Sequence, residues 1–178
     1  MNIFLCGGCK NGKSSLAQEL AVKLSQGGKR YYVATMIAGD GEDRARIQKH
    51  RKDRAGMGFE TLEIGRGIAA CLGEDADKAT YLIDSVTALL ANEMFQGKRI
   101  DNGAVERCTQ GLLEVLAHSG NCVIVSDYLF SEAVHFDALT EQYRRALGAI
   151  HRTLANACDT VAELCADTVT IHKGELPL

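Results

Sequence analysis

The sequence predicts an α/β fold: a mainly parallel sheet with helices on both faces. Two observations carry this. Short β-rich runs alternate with stretches of helical periodicity along most of the 178 residues, and strands joined by crossover helices form parallel sheets buried on both sides. The composition (46% hydrophobic, 24% charged) is that of a globular chain long enough to bury a core, and not that of a disordered one.

The elements follow in order. Residues 2–6 form a buried strand. Residues 14–25 form a helix, with Leu16, Leu20 and Leu24 at helical spacing beside Ala17 and Ala21, ended by Gly27-Gly28. A strand is expected over 30–35, a strongly charged helix over 40–54 and a short strand over 59–64. The strand at 80–84 leads into a helix reaching about Phe95. A helix over 105–118, a strand over 121–127, a long helix over 139–157 and a closing strand over 168–172 complete the series. No internal repeat interrupts it, so residues 1–178 are expected to form a single catalytic domain.

Charge and composition exclude several classes. The net charge is -3, from 20 basic and 23 acidic residues, which favours neither nucleic acid nor acidic lipid. No secretion signal is legible, because the apolar start runs from Ile3 to Cys6 and straight into Gly7-Gly8. No apolar run approaches the roughly 20 residues that cross a bilayer. The seven cysteines are expected to be reduced, mostly as small packed side chains. Cys6 and Cys9 are spaced CxxC, but no second pair follows at zinc spacing. A cytoplasmic protein without membrane or nucleic-acid partners is expected.

Residues 7–14 read GGCKNGKS and match G-x-x-x-x-G-K-[ST] between a strand and a helix. Glycines let the backbone wrap an anion, and successive N–H groups then point at phosphate oxygens. The helix N-terminus adds its partial positive charge. Lys13 supplies a point charge to the β- and γ-phosphates, and the Ser14 hydroxyl is suited to Mg²⁺. The loop therefore binds a nucleoside triphosphate, GTP or ATP. While it is empty, Lys13 is expected to face solvent. A carboxylate partner for Mg²⁺ belongs at the end of a buried strand, where both Asp84 and Asp127 stand; Asp84 is preferred.

Residues 44–54 read RARIQKHRKDR, with six basic residues around one histidine. At roughly 100° per residue, Arg46, His50 and Arg54 fall within about 80° of one another on a helix. Fixed cations favour a neutral, nucleophilic imidazole and can hold phosphate oxygens. A solvated basic face has the same composition. The remaining histidines (118, 135, 151 and 172) have no comparable setting. Loop and basic helix together are also compatible with a P-loop kinase for another small alcohol. A non-catalytic nucleotide-binding or RNA-contacting protein is a third possibility.

Taken together, these segments resemble the adenosylcobinamide kinase/adenosylcobinamide-phosphate guanylyltransferase family of cobamide (vitamin B12-type) biosynthesis, over the whole chain. MNIFLCGGCKNGKS is similar to that family's strand and GGxxSGKS loop, and YVAT at 32–35 to its second strand. Arg46, Ile47, His50 and Arg54 match RIxxHxxxR. Phe59, Thr61 and Glu63 stand where the family has W-x-T-x-E. Asp84, Thr87, Asn92 and Phe95 match its acidic strand end and the T-x-x-x-x-N-x-x-F helix.

The resemblance implies a RecA-like P-loop fold, a homotrimer and two reactions. One is phosphorylation of adenosylcobinamide by a nucleoside triphosphate. The other is GMP transfer from GTP to adenosylcobinamide phosphate through a guanylyl-histidine. It makes His50 the nucleophile, with Lys13 as the second catalytic residue. It assigns nucleotide contacts to Gly7, Gly8, Cys9, Lys10, Asn11, Gly12, Lys13 and Ser14. Further contacts fall to Ala34, Thr35, Met36, Arg51, Lys52, Asp53, Arg54, Glu63 and Asp84; the basic helix face adds Arg46, and the loop and strand-end reading puts Ser14 and Asp84 on Mg²⁺.

Two segments depart from the family. Lys10-Asn11 replace Arg-Ser, which removes a hydroxyl. Where the family reads TNEVGxGIVP, residues 126–135 read SDYLFSEAVH: Asp127 replaces Asn, Tyr128 replaces Glu, Phe130 and Glu132 replace glycines, and His135 replaces Pro. Further on, His151 replaces the usual Asn. Loss of glycines alters the path available to the backbone, so an altered or weak acceptor step is expected.

Overall fold

The structure, a computed structural model, describes residues 1–37, 54–97, 99–129 and 135–177. Its strands are β1 (Asn2–Gly7), β2 (Arg30–Ala34), β3 (Glu60–Glu63), β4 (Thr80–Asp84), β5 (Phe95–Gln96), β6 (Arg99–Ile100), β7 (Asn121–Asp127), β8 (Thr160–Cys165) and β9 (Thr168–Lys173). Its helices are α1 (Lys13–Ser25), α2 (Val86–Met94), α3 (Ala104–His118) and α4 (Ala138–Ala157). Seven strands form one sheet in the order β3-β2-β4-β7-β1-β8-β9, and β5 with β6 forms a short hairpin. Every pairing in the large sheet is parallel except β8 with β9.

Alternation along the central strands divides the core into two layers. Ile3, Leu5, Leu82, Val123 and Val125 face Ala17, Leu20 and Ala21 of α1. Their neighbours Phe4, Tyr81, Ile83, Cys122 and Ile124 face the layer of α2, α3 and α4. Both faces are thus covered, as the sequence predicts, and the strand ends are the places left for polar chemistry. The cysteines follow the expectation as well. All seven are free thiols, four of them buried, and only Cys9 and Cys165 are exposed.

Two features were not legible. β8 follows α4 after only two residues, and its pattern TVAELC carries no turn signal to separate it from the helix. The β5–β6 hairpin is too short to leave a period. The charged helix expected over 40–54 lies outside the described residues apart from Arg54, which sits in a turn whose carbonyl accepts from Met57 N at 3.1 Å.

Candidate functional site

Parallel strands bring their carboxyl ends to one edge of the sheet, and open α/β sheets bind ligands there. Gly7 pairs with Asp127 on one side and Leu164 on the other, and Ala34 pairs with both Asp84 and Glu63. Residues far apart in sequence (Gly7, Ala34, Glu63, Asp84 and Asp127) therefore meet along one edge.

The glycine-rich loop leaves β1 at Gly7 and enters α1 at Lys13. A side chain at Gly7 would put its Cβ 2.3 Å from the Leu164 carbonyl oxygen, so only glycine allows β1 and β8 to lie this close. Gly12 caps α1 with φ +85°, a conformation that favours glycine. No side chain caps this helix and its first turn carries no acid. By contrast, α4 is capped by the Asp137 carboxylate, which accepts from Leu139 N and Thr140 N at 2.9 Å. The first N–H groups of α1 are left for an external anion, within a loop whose spacing suits a phosphate chain. Ser14 stands in that first turn, half-buried.

Lys13 does not face solvent, contrary to the sequence-based expectation. Its side chain is 5% exposed, and Nζ lies 2.8 Å from Asp127 Oδ1. Nζ also donates to the Gly8 carbonyl and, at 3.0 Å, to Asn11 Oδ1. The expectation failed because β7 lies beside β1, and its terminal carboxylate attracts the ammonium. Asn11, at the position where a family hydroxyl is lost, uses both ends of its amide: Oδ1 accepts from Lys13, and Nδ2 donates to the Leu164 carbonyl.

A pocket lies between the ends of β2 and β4, lined by Tyr32, Ala34, Met36, Arg54, Asp84, Ser85 and Ala88. Arg54 is buried, with its guanidinium 3.9 Å from the centre of the Tyr32 ring and a hydrogen bond of 3.2 Å to Thr61 Oγ1. The Tyr32 hydroxyl donates to Asp84 Oδ2 at 2.7 Å. Arg54, Tyr32 and Asp84 thus form one connected wall. Thr35, fully buried, exchanges 2.7 Å hydrogen bonds with the backbone of Ser85. Among the predicted nucleotide residues, the structure brings Ala34, Met36, Arg54 and Asp84 to this pocket, and Thr35 and Glu63 to its edge. His50, Arg46, Arg51, Lys52 and Asp53 lie outside the described residues.

Sequence reasoning missed the braces behind these walls. Asn92 Nδ2 donates to the carbonyls of Thr35 (2.7 Å) and Gly65 (3.0 Å), tying α2 to the loops after β2 and β3. Thr87 Oγ1 accepts from Asp127 N at 3.0 Å and lies 3.3 Å from Ser126 Oγ, which in turn is 2.7 Å from His151 Nε2. The matches at Thr87 and Asn92 were visible in the sequence as motif letters, but their partners belong to other elements.

His151 is not a surface residue. It lies edge-on to Phe4 with ring centres 5.1 Å apart, and burial pushes its pKa from 6.5 down to about 4, with Asp127 acting weakly in the opposite sense. The neutral form is the one that fits. Stability from this group is complete above pH 6.5 and is lost as the pH falls towards 4, because the unfolded chain binds the proton first. The loss amounts to about 3 kcal/mol. In denaturation curves between about pH 7.5 and 4.5, His151→Asn should flatten the fall in stability by that order; an unchanged slope would mean that the imidazole is not held neutral.

Among the described residues, no group of three or more His, Cys, Asp or Glu side chains is placed to hold a metal ion, and no helix is long and apolar enough to cross a membrane. An uncapped glycine-rich loop, a buried loop lysine and an acidic strand end on a mainly parallel sheet define a P-loop nucleotide-binding enzyme of RecA-like architecture. A solved ATPase domain has a similar fold, with a TM-score of 0.58 at 11% identity, over 99% of this chain and 78% of that one. Residues 3–169 match the family model of CobU, cobinamide kinase / cobinamide phosphate guanyltransferase. The chain is 33% identical over 179 residues to the bifunctional adenosylcobalamin biosynthesis protein CobP of Pseudomonas aeruginosa, covering 98% of this chain and 99% of that one. The chain belongs to the cobinamide kinase/cobinamide phosphate guanylyltransferase family and is an enzyme of cobamide biosynthesis.

Proposed function

We propose that one nucleotide site at the carboxyl edge of the sheet serves both reactions, with GMP carried on His50. The observation that supports this best is the convergence of the loop 7–14, the Asp84 carboxylate and the Arg54–Tyr32 wall on one edge. In the kinase reaction, the loop N–H groups and Lys13 hold the β- and γ-phosphates while the hydroxyl of adenosylcobinamide, losing its proton, attacks the γ-phosphorus and the nucleoside diphosphate leaves. In the transferase reaction, a neutral imidazole nitrogen of His50 attacks the α-phosphorus of GTP. A P–N bond forms, the P–O bond to the β-phosphate breaks, and pyrophosphate leaves as the imidazolium gives up its N–H proton. A phosphate oxygen of the acceptor then attacks the same phosphorus, which restores His50 and yields adenosylcobinamide-GDP. Arg54, with Arg46, Arg51 and Lys52, neutralises phosphate charge; Ala34, Thr35, Met36, Asp53 and Glu63 line the nucleotide.

Ser14 and Asp84 fit Mg²⁺: both offer hard oxygen donors, and a nucleotide-bound Mg²⁺ takes only one or two protein ligands beside phosphates and water. When bound, the ion neutralises charge on the phosphate oxygens. Three copies assembling as a trimer, in the cytoplasm, complete the proposal, and neither a membrane nor a nucleic acid is a partner.

The divergent segment 126–135 sets this chain's acceptor step apart, since Asp127 and Tyr128 are engaged by Lys13 and Glu163 rather than free for a substrate. Turnover should be measured with adenosylcobinamide and with its phosphate, each with GTP or ATP. Slow acceptor turnover beside ordinary GTP binding is expected; ordinary rates with both acceptors would show that the altered segment does not shape that step.

A further inference from the structure

Lysine offers three N–H donors, and in this structure all three are matched by acceptors: the Asp127 carboxylate, the Gly8 carbonyl and the Asn11 amide oxygen. No donor of Lys13 is left for a phosphate unless one of these is given up. Only Asp127 is charged, so only Asp127 competes with a phosphate in kind.

We propose that Asp127 is an internal counter-ion that occupies Lys13 in the nucleotide-free enzyme and must be displaced by the incoming phosphates, so that it sets the affinity of the loop. This rests on the loop being the triphosphate site. Asp127 acts through Lys13 and is a positioning residue.

Asp127 is held for this task at three successive residues, 126–128. Its own N–H donates to Thr87 Oγ1 at 3.0 Å. On the next residue, Tyr128 N donates to the Gly7 carbonyl at 3.2 Å, which pins the end of β7 against the start of the loop. On the preceding residue, the fully buried Ser126 is fixed by His151. Ser126 Oγ lies 2.7 Å from His151 Nε2 and 3.3 Å from Thr87 Oγ1, and it donates to the Asp127 carbonyl at 3.2 Å. The carboxylate itself stays one-third exposed. Bringing the phosphate chain into the loop places its negative charge beside Asp127 and draws Lys13 away. The cost falls on the bound state through repulsion, and on the exchange through the lost ion pair.

The test uses inorganic tripolyphosphate, which has neither base nor ribose, and GTP, each titrated with and without Mg²⁺ against wild type and D127N. Asparagine keeps the shape, the backbone N–H and an oxygen for Lys13, and removes the charge. Two results are expected. Tripolyphosphate without Mg²⁺ should bind D127N tighter by roughly tenfold. The ligand-free variant should melt lower than wild type, while its gain in Tm on binding is larger. A merely structural role would lower the Tm of the free and bound forms alike and leave affinity unchanged, which would overturn the proposal. So would weaker binding by D127N confined to Mg²⁺-containing samples, which would make Asp127 a metal ligand. If wild type binds neither tripolyphosphate nor GTP, the triphosphate site itself is wrong and the counter-ion falls with it.

Discussion

Lys13→Ala is expected to abolish GTP binding at concentrations that saturate the wild type, a loss of at least about a hundredfold in affinity. A point charge on the β- and γ-phosphates disappears. Stability is also expected to move, which a solvent-facing lysine would not cause. Lys13 is buried and joins Gly8, Asn11 and Asp127. Its removal leaves the Gly8 carbonyl and the Asn11 amide without their shared donor, at a cost of about 1–2 kcal/mol. The Asp127 carboxylate is open enough to be rehydrated and adds little. Isothermal titration with GTP and a denaturant melt check both parts. Wild-type GTP affinity in the variant would mean that the glycine-rich loop is not the triphosphate site.

Much of the fold was legible because it depends on local pattern. The runs at 2–6, 80–84 and 121–127 are apolar on both faces, and the structure buries both faces of β1, β4 and β7 between two helical layers. The helices α3 and α4 begin within one residue of where periodicity places them. The loop was equally plain, since GGCKNGKS carries its mechanism in its spacing. Orientation was not legible. Whether Lys13 points outward or towards β7 depends on which strand lies beside β1, and β7 is more than a hundred residues away in sequence. The same holds for Asn92 reaching the Thr35 and Gly65 carbonyls, and for His151 meeting Ser126. Nothing in a helical period tells which strand a side chain will find. Tyr128 is an instructive case: it replaces a family acid, and its hydroxyl donates at 2.7 Å to Glu163 of β8, a strand the sequence did not disclose.

The second large effect concerns His50. His50→Asn is expected to bind GTP normally and to form no covalent adduct, with GMP transfer to adenosylcobinamide phosphate falling by several orders of magnitude. Phosphorylation of adenosylcobinamide by the same variant should persist, because that reaction needs the loop and not the imidazole. The split separates a nucleophile from a histidine that only binds phosphate, since loss of a phosphate contact would weaken GTP binding and slow both reactions together.

Intact-mass analysis of the wild-type protein after incubation with GTP and Mg²⁺ tests the central claim most directly. The expected product is a single added GMP, stable to alkali and released by acid as a P–N bond requires, lost on addition of pyrophosphate with return of GTP, and mapped to His50. A protein that binds GTP under the same conditions yet gains no mass, or carries the GMP on another residue, would contradict the guanylyl-histidine at the heart of this account.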